Sequence, residues 1–155
     1  METSPEARLH DLGIQIPEPP PTAANYIGAV RVGELLFVSG HGPYQNGEYV
    51  YLGKLGRELD VDAGQASARI VMLNFLATVR EVLGSLDRVE RIVKLLVMVN
   101  SDPDFADQPL VANGASDLLV EIFGKERGQH GRSAVGMGAL PMGISVEIEG
   151  ILQVA

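Results

Sequence analysis

Residues 131–150, GRSAVGMGALPMGISVEIEG, decide how this chain folds. An arginine opens a glycine-rich apolar run, which predicts a strand over 133–140. Pro141-Met142-Gly143 predicts a turn. Residues 144–154 then alternate between apolar and polar side chains, as in a β-strand with one buried face. The segment therefore predicts two strands joined by a short turn.

Glu147 and Glu149 share one face of the last predicted strand with Ser145, and apolar residues occupy the other face. Two interpretations stay open at this point. The glutamates lie on a solvated sheet face, or a carboxylate lines a pocket and orients or deprotonates a water molecule.

Arg132 allows the same two interpretations. An arginine at the start of a strand is usually a surface residue. Its planar guanidinium is also the side chain best suited to binding a carboxylate through two hydrogen bonds. Residue types and spacing alone do not decide between the two.

Composition narrows the class of protein. The chain has 155 residues and 46% hydrophobic residues, which suggests one globular domain. The formal net charge of −8 and the lack of any Lys/Arg cluster make nucleic-acid binding a poor expectation. There are no cysteines, which excludes disulfides and thiolate ligands. The three histidines are far apart in sequence, so we expect no metal.

The sequence favours the cytoplasm. No run of about 18 apolar residues predicts a membrane span. The first residues are acidic and polar and lack the apolar core of a signal peptide.

The sequence also predicts the elements that precede this tail. Residues 1–24 end in IPEPPPTAA, so we expect an extended proline-rich arm, followed by a domain over 25–155. Gly33-Glu34 predicts a hairpin, and a short strand is expected near residues 49–52. Asp62 is the expected N-cap of a helix over 63–83 that Gly84 ends. The later elements are a covered strand over 91–101 and a helix from Pro109 to Gly124, with Leu118, Leu119 and Ile122 as its buried stripe.

This order predicts an α+β fold, with two helices on one face of a mixed six-stranded sheet. Several strands are apolar on both faces. A small chain with such strands is expected to bury the second face against other subunits.

Three stretches resemble the RidA family, also called YjgF, of enamine/imine deaminases. The tail carries Arg132, Leu140-Pro141 and VEIE at 146–149. The first hairpin, NYIGAVRVGELLFVSGHGP at 25–43, and the middle, IVKLLVMVNSDPDF at 92–105, are similar to the family as well. The tail is the specific element, and the whole resemblance covers about residues 25–154.

The resemblance implies a chorismate-mutase-like fold, a homotrimer whose sheets form an inner barrel, and active sites in clefts between subunits. It implies that Arg132 holds the substrate carboxylate and that Glu147 positions the attacking water. The other implied substrate contacts are Tyr26, Ser39, Gly40, Asn113 and the backbone of Ala134. The implied reaction converts 2-enamino or 2-imino acids to 2-keto acids and ammonia, with no cofactor.

The chain departs from the common pattern at two places, which suggests a divergent branch. His130 stands where many members have proline, and Ala134 where many have cysteine. Two alternatives to the deaminase remain: a non-catalytic trimer that binds small carboxylates, and a ribonuclease or translation inhibitor, against which the acidic charge counts.

Overall fold

The structure, a computed structural model, describes residues 2–155 and places three α-helices and seven strands in them. The helices are α1 (Pro5–Leu12), α2 (Val61–Leu83) and α3 (Gln108–Gly128). The strands are β1 (Ala29–Val32), β2 (Leu35–His41), β3 (Tyr44–Gln45), β4 (Glu48–Tyr49), β5 (Val89–Asn100), β6 (Gly131–Met137) and β7 (Val146–Val154).

Five strands form one mixed sheet in the order β1-β2-β7-β5-β6. Only β5 and β6 run parallel, because α3 connects them as a crossover, and the other neighbouring pairs are antiparallel. The predicted α+β class with a mixed sheet is confirmed. The predicted sixth strand is wrong as a member of this sheet.

The missing strand forms a separate small hairpin. Strands β3 and β4 pair only with each other across Asn46-Gly47. Both turn residues have positive φ, 54° and 88°, as a tight two-residue hairpin turn requires. Beyond Tyr49, Leu52 forms an isolated antiparallel bridge with Ile144, outside the named strands, so the strand expected near 49–52 does not join the sheet.

Helices α2 and α3 cover one face of the sheet, called here the helix face. Leu36, Val97 and Leu152 point to it and are fully buried. The next residues along these strands point to the opposite face, called here the open face. Phe37 on that face is 42% exposed. The sheet is thus apolar on both faces, as the sequence predicts, and within one chain helices cover only the first.

Helix α2 begins two residues earlier than expected. The carboxylate of Asp60 accepts a hydrogen bond from the backbone N–H of Ala63 at 2.9 Å, so Asp60 is the N-cap. The expected N-cap, Asp62, lies in the first turn instead. Gly84 ends the helix as predicted, with a φ of 84°.

Helix α3 continues past its expected end. Gly124 interrupts it with a φ of 75°, and the helix then resumes to Gly128. The predicted buried stripe is confirmed, since Leu118, Leu119 and Ile122 are at most 1% exposed.

The two tail strands are shifted from their predicted bounds. Strand β6 already pairs with β5 at Gly131, opposite Lys94, two residues before the expected start. Strand β7 begins at Val146 rather than 144. Ser145 therefore does not share a face with Glu147; its hydroxyl is buried and 2.7 Å from that of Ser67 in α2.

The N-terminal segment is not wholly extended, and the fold has three helices rather than two. Ser4 caps α1 and Pro5 lies in its first turn, both favourable at a helix start. The carboxylate of Glu6 accepts hydrogen bonds from Arg80 of α2 and from the backbone N–H of Leu86. These contacts fix α1 to the end of α2. Residues 14–24 then run along α2 toward the first strand of the sheet.

Candidate functional site

A β-bulge places Ser39 and Gly40 beside Glu147. Between Val38 and His41, strand β2 advances by one residue more than its partner β7, so the regular pairing breaks at this point. The carboxylate of Glu147 lies so close over Gly40 that any Cβ there would overlap its Oε2 atom. A Cβ at position 40 would therefore displace the carboxylate, which occupies the space of a side chain.

Glu147 lines an open cleft of about 520 Å³. Tyr26, Ser39 and Gly40, all implied by the resemblance, line the same cleft. Burial raises the pKa of Glu147, and the neighbouring charge of Glu149 raises it further. A carboxylate with a raised pKa is a better proton acceptor near neutral pH.

Arg132 lies in a second cluster, at the sheet edge beside α3. Its Nη1 donates to Oδ1 of Asn113 at 2.8 Å and to Oγ of Ser116 at 3.0 Å, and its Nη2 donates to the carbonyl of Pro109 at 3.0 Å. Three of the five guanidinium N–H donors are engaged, so two remain for a ligand. Ala134 follows two residues later on the same face of β6, opposite Val97 of β5.

His130 and Ser116 extend this cluster. The Nδ1 of His130 is 2.7 Å from the carbonyl of Gly128, so that nitrogen carries the proton. Its Nε2, 2.9 Å from Oγ of Ser116, therefore accepts from the hydroxyl, which in turn accepts from Arg132. Burial lowers the pKa of His130, and the charge of Arg132 lowers it further. A neutral histidine thus fixes the hydroxyl that holds the guanidinium.

The two clusters are separate within one chain. Arg132 pairs with Leu95 and faces the helices, whereas Glu147 pairs with Met98 and faces the open side. Strand β5 lies between them, and their Cα atoms are about 14 Å apart by strand geometry. One small substrate cannot contact both side chains of the same chain.

Two buried residues near the bulge escaped the sequence analysis. His41 directs Nδ1–H to the carbonyl of Ser39 at 2.7 Å, and its Nε2 accepts from the hydroxyl of Thr78 at 2.7 Å. Burial lowers the pKa of His41 and favours its neutral form. The pair ties the bulge to α2. Its only sequence signal is a histidine two residues after Ser39, which by itself predicts no contact.

Ser116, in the Arg132 cluster, was also missed by the sequence analysis. It lies three residues after Asn113 on α3, and residues at this spacing share a helix face. That spacing could have identified it once Asn113 had been placed.

Among residues 2–155, no group of three or more His, Asp or Glu side chains is arranged to hold a metal ion. None of the helices described here is long and apolar enough to cross a membrane.

Comparison with known proteins connects this geometry to a family. Residues 6–147 match the family described as "YjgF/chorismate_mutase-like, putative endoribonuclease". Protein TCP17 of Trypanosoma cruzi is 45% identical over 147 residues, which cover 95% of this chain and 92% of that protein.

Solved structures with the same fold are known. Atu1372 of Agrobacterium tumefaciens, described as of unknown function, is 39% identical with a TM-score of 0.87, covering 97% of this chain and 92% of that chain. A "putative endoribonuclease" of Shewanella oneidensis is 33% identical with a TM-score of 0.93, covering 98% of this chain and 100% of that one.

Escherichia coli TdcF, solved with bound serine, shares the fold at 24% identity and a TM-score of 0.63, over 89% of this chain and 94% of that one. The family match covers most of the chain, and the curated relative is well above the identity at which a common fold is secure. The chain therefore belongs to the YjgF family, with its chorismate-mutase-like α+β fold.

Proposed function

We propose that this protein hydrolyses 2-imino acids, and the 2-enamino acids that tautomerise to them, to 2-keto acids and ammonia. The proposal rests on the different chemical groups that the two clusters present. One presents a guanidinium with free N–H donors, and the other a carboxylate with a raised pKa. These are the two functions that hydrolysis of an imino acid needs.

Arg132 would bind the substrate carboxylate with its two remaining N–H donors. Asn113, Ser116 and the Pro109 carbonyl hold the guanidinium in place before substrate arrives, so less side-chain freedom is lost on binding. Ala134 would meet the substrate through its backbone. A preorganised arginine of this kind favours a planar carboxylate over a single point charge.

Glu147 would take a proton from water as the water oxygen attacks the imine carbon. The electron pair of the C=N bond moves to nitrogen, which is protonated. The C–N bond of the resulting carbinolamine then breaks, ammonia leaves, and the C=O bond forms. Water supplies every atom that the substrate gains, so the chemistry requires no cofactor. Tyr26, Ser39 and Gly40 would surround the reacting carbon and nitrogen.

We further propose a homotrimer in which each active site joins the Arg132 cluster of one subunit to the Glu147 cleft of the next. Two observations support this arrangement. The two clusters lie on opposite faces of the sheet within a chain. The open face carries apolar side chains, among them Val30 and Phe37, that a neighbouring subunit would cover as the inner wall of a barrel.

A non-catalytic carboxylate-binding trimer would use Arg132 in the same way. It would have no need for Glu147, whose buried charge costs stability. The family description also names an endoribonuclease. Among residues 2–155, the only charged residues lining the cleft are Glu147 and Glu149, and the net charge is −8, so a nucleic-acid backbone would be repelled there.

The test is a coupled assay in which a dehydratase generates 2-aminoacrylate and keto acid formation is followed with and without this protein. We expect acceleration by the wild type and its loss in Arg132→Ala. Arg91→Ala, which removes an arginine outside both clusters, is the matched control and should remain active. Acceleration by all three proteins would contradict the role of Arg132. Binding of keto acids without acceleration would favour the carboxylate-binding trimer, and salt-dependent retention of RNA would favour the ribonuclease.

A further inference from the structure

The cleft around Glu147 has a largely apolar wall. Tyr26 and Met142, at opposite ends of the sequence, both line it and are 45% and 57% exposed. The remaining apolar lining residues are Ala23, Ala24, Tyr49, Pro141 and Ile144. Large exposed apolar side chains gathered around one reactive carboxylate are typical of a ligand subsite.

Much of this wall comes from the N-terminal arm. Ala23 and Ala24 line the cleft directly, and the backbone N–H of Ala23 is 3.4 Å from the hydroxyl oxygen of Tyr26. The preceding Pro20 and Pro21 line a small polar crevice against His41. Proline fixes φ, so the arm reaches the cleft along a restricted path. The arm is therefore part of the site and does not simply lead into the domain.

The volume of the cleft indicates the size of ligand that it can hold. Its volume of about 520 Å³ is within the range of sites that enclose ligands much larger than a three-carbon imino acid. Apart from the tyrosine hydroxyls, the polar side chains that the described residues place on the wall are Ser39, Glu147 and Glu149, and the Ser39 hydroxyl donates to the carbonyl of Ile27 at 2.7 Å. The negative charges of Glu147 and Glu149 disfavour an acidic side chain on the ligand.

We propose that the arm and the Pro141–Gly143 turn form a subsite for the side chain of the substrate. The preferred substrates are then imines of amino acids with large apolar or aromatic side chains. This inference rests on the proposed deaminase function and adds the substrate class to it. Burial of apolar surface against the wall supplies the preference.

The experiment compares imines released by an amino-acid oxidase from alanine, leucine, phenylalanine and arginine. We expect kcat/KM to be about tenfold or more higher for the leucine and phenylalanine imines than for the alanine imine. Ala24→Trp should fill the subsite and lower kcat/KM for the two large imines by about tenfold relative to that for the alanine imine. Ala106→Trp, on an exposed loop outside the cleft, should leave all four values unchanged.

Three outcomes would overturn the inference. Equal kcat/KM for all four imines, with no effect of Ala24→Trp, would refute the subsite while leaving the deaminase intact. A preference for the arginine imine would show that Glu149 selects a cationic side chain instead. Hydrolysis of none of the imines would refute the proposed function and this inference together.

Discussion

Glu147 shows at the scale of one residue how the fold creates reactivity. Its side chain points away from the helices, half-buried, over a glycine that cannot be replaced without moving it. The bulge at Ser39 and Gly40 makes this space, and the pair of His41 and Thr78 holds the bulge. Burial and the charge of Glu149 together raise the pKa of the carboxylate.

Glu147→Gln should abolish most activity and stabilise the fold. Loss of a general base lowers the rate by about 100-fold or more. The pKa of Glu147 is higher in the folded chain than in the unfolded one, so its contribution to stability falls as pH rises from the unfolded value through the raised one. Thermal unfolding at neutral pH should therefore occur a few degrees higher in Glu147→Gln, and the difference should vanish in acid.

The pH profile provides the control for this prediction. Wild-type kcat/KM should fall in acid, with an apparent pKa above the usual carboxyl value of 4.5, because only the deprotonated carboxylate accepts a proton. Glu149→Gln removes the neighbouring charge and should move that acid limb to lower pH. An acid limb that Glu149→Gln leaves in place would show that another group controls it.

Gly40→Ala tests the contact between the glycine and the carboxylate. The added methyl group overlaps Oε2 of Glu147, so the flexible carboxylate must move, and we expect a loss of kcat of about tenfold or more with little change in stability. Gly138→Ala is the matched control, because a Cβ at Gly138 meets no atom within 4 Å. Steady-state kinetics and thermal unfolding of both variants check this. Equal behaviour of the two would refute the assigned contact.

At the scale of elements, local sequence signals predicted which elements form better than where they begin. The α3 stripe and the stop of α2 at Gly84 followed directly from periodicity and glycine chemistry. The N-cap of α2 could not be predicted in this way, because aspartate at 60 and aspartate at 62 are equally good caps. The path of the chain before the helix places Asp60 at the cap position. The start of β6 depends on parallel pairing with β5, a long-range contact that no local pattern encodes.

Helix α1 was missed because the four prolines that follow it dominated the prediction for the whole arm. The helix is short and derives its stability from docking rather than from its own propensity. Leu9 is 2% exposed, and Glu6 bonds to Arg80 and to the backbone of Leu86. Such docking depends on residues about 75 positions away, which the arm sequence cannot reveal.

Glu6→Ala should undock α1 and lower stability by about 1 kcal/mol, after allowance for solvent screening of this partly buried carboxylate. The hydrogen bond from Arg80 holds the pKa of Glu6 below its usual value, so this stabilisation is present above the unfolded pKa and is lost as pH falls through the folded one. The variant should therefore differ from the wild type at neutral pH and match it in acid. Denaturant unfolding checks this against Asp11→Ala, an exposed carboxylate on the same helix that makes no such bonds.

At the scale of the whole molecule, the single chain holds Arg132 and Glu147 in two separate clusters. The sequence identified residues of both clusters through the family resemblance, and the structure brings Asn113 to Arg132 and brings Tyr26, Ser39 and Gly40 to Glu147. Residue patterns alone left Arg132 and Glu147 open to a surface interpretation, because one chain's sequence carries no information about what covers its open face. The relay through Ser116 and His130 depends on the approach of α3 to β6, which is a tertiary contact.

The most direct test of the account mixes two inactive subunits. Arg132→Ala and Glu147→Gln chains, carrying different tags, are co-expressed, and oligomers that contain both tags are purified. If each site takes Arg132 from one subunit and Glu147 from its neighbour, every trimer that contains both chains has one wild-type pair, about a third of its sites. We expect imine hydrolysis at about a third of the wild-type rate in the mixed oligomers and almost none in either parent. Mixed oligomers as inactive as their parents would contradict a site shared between subunits.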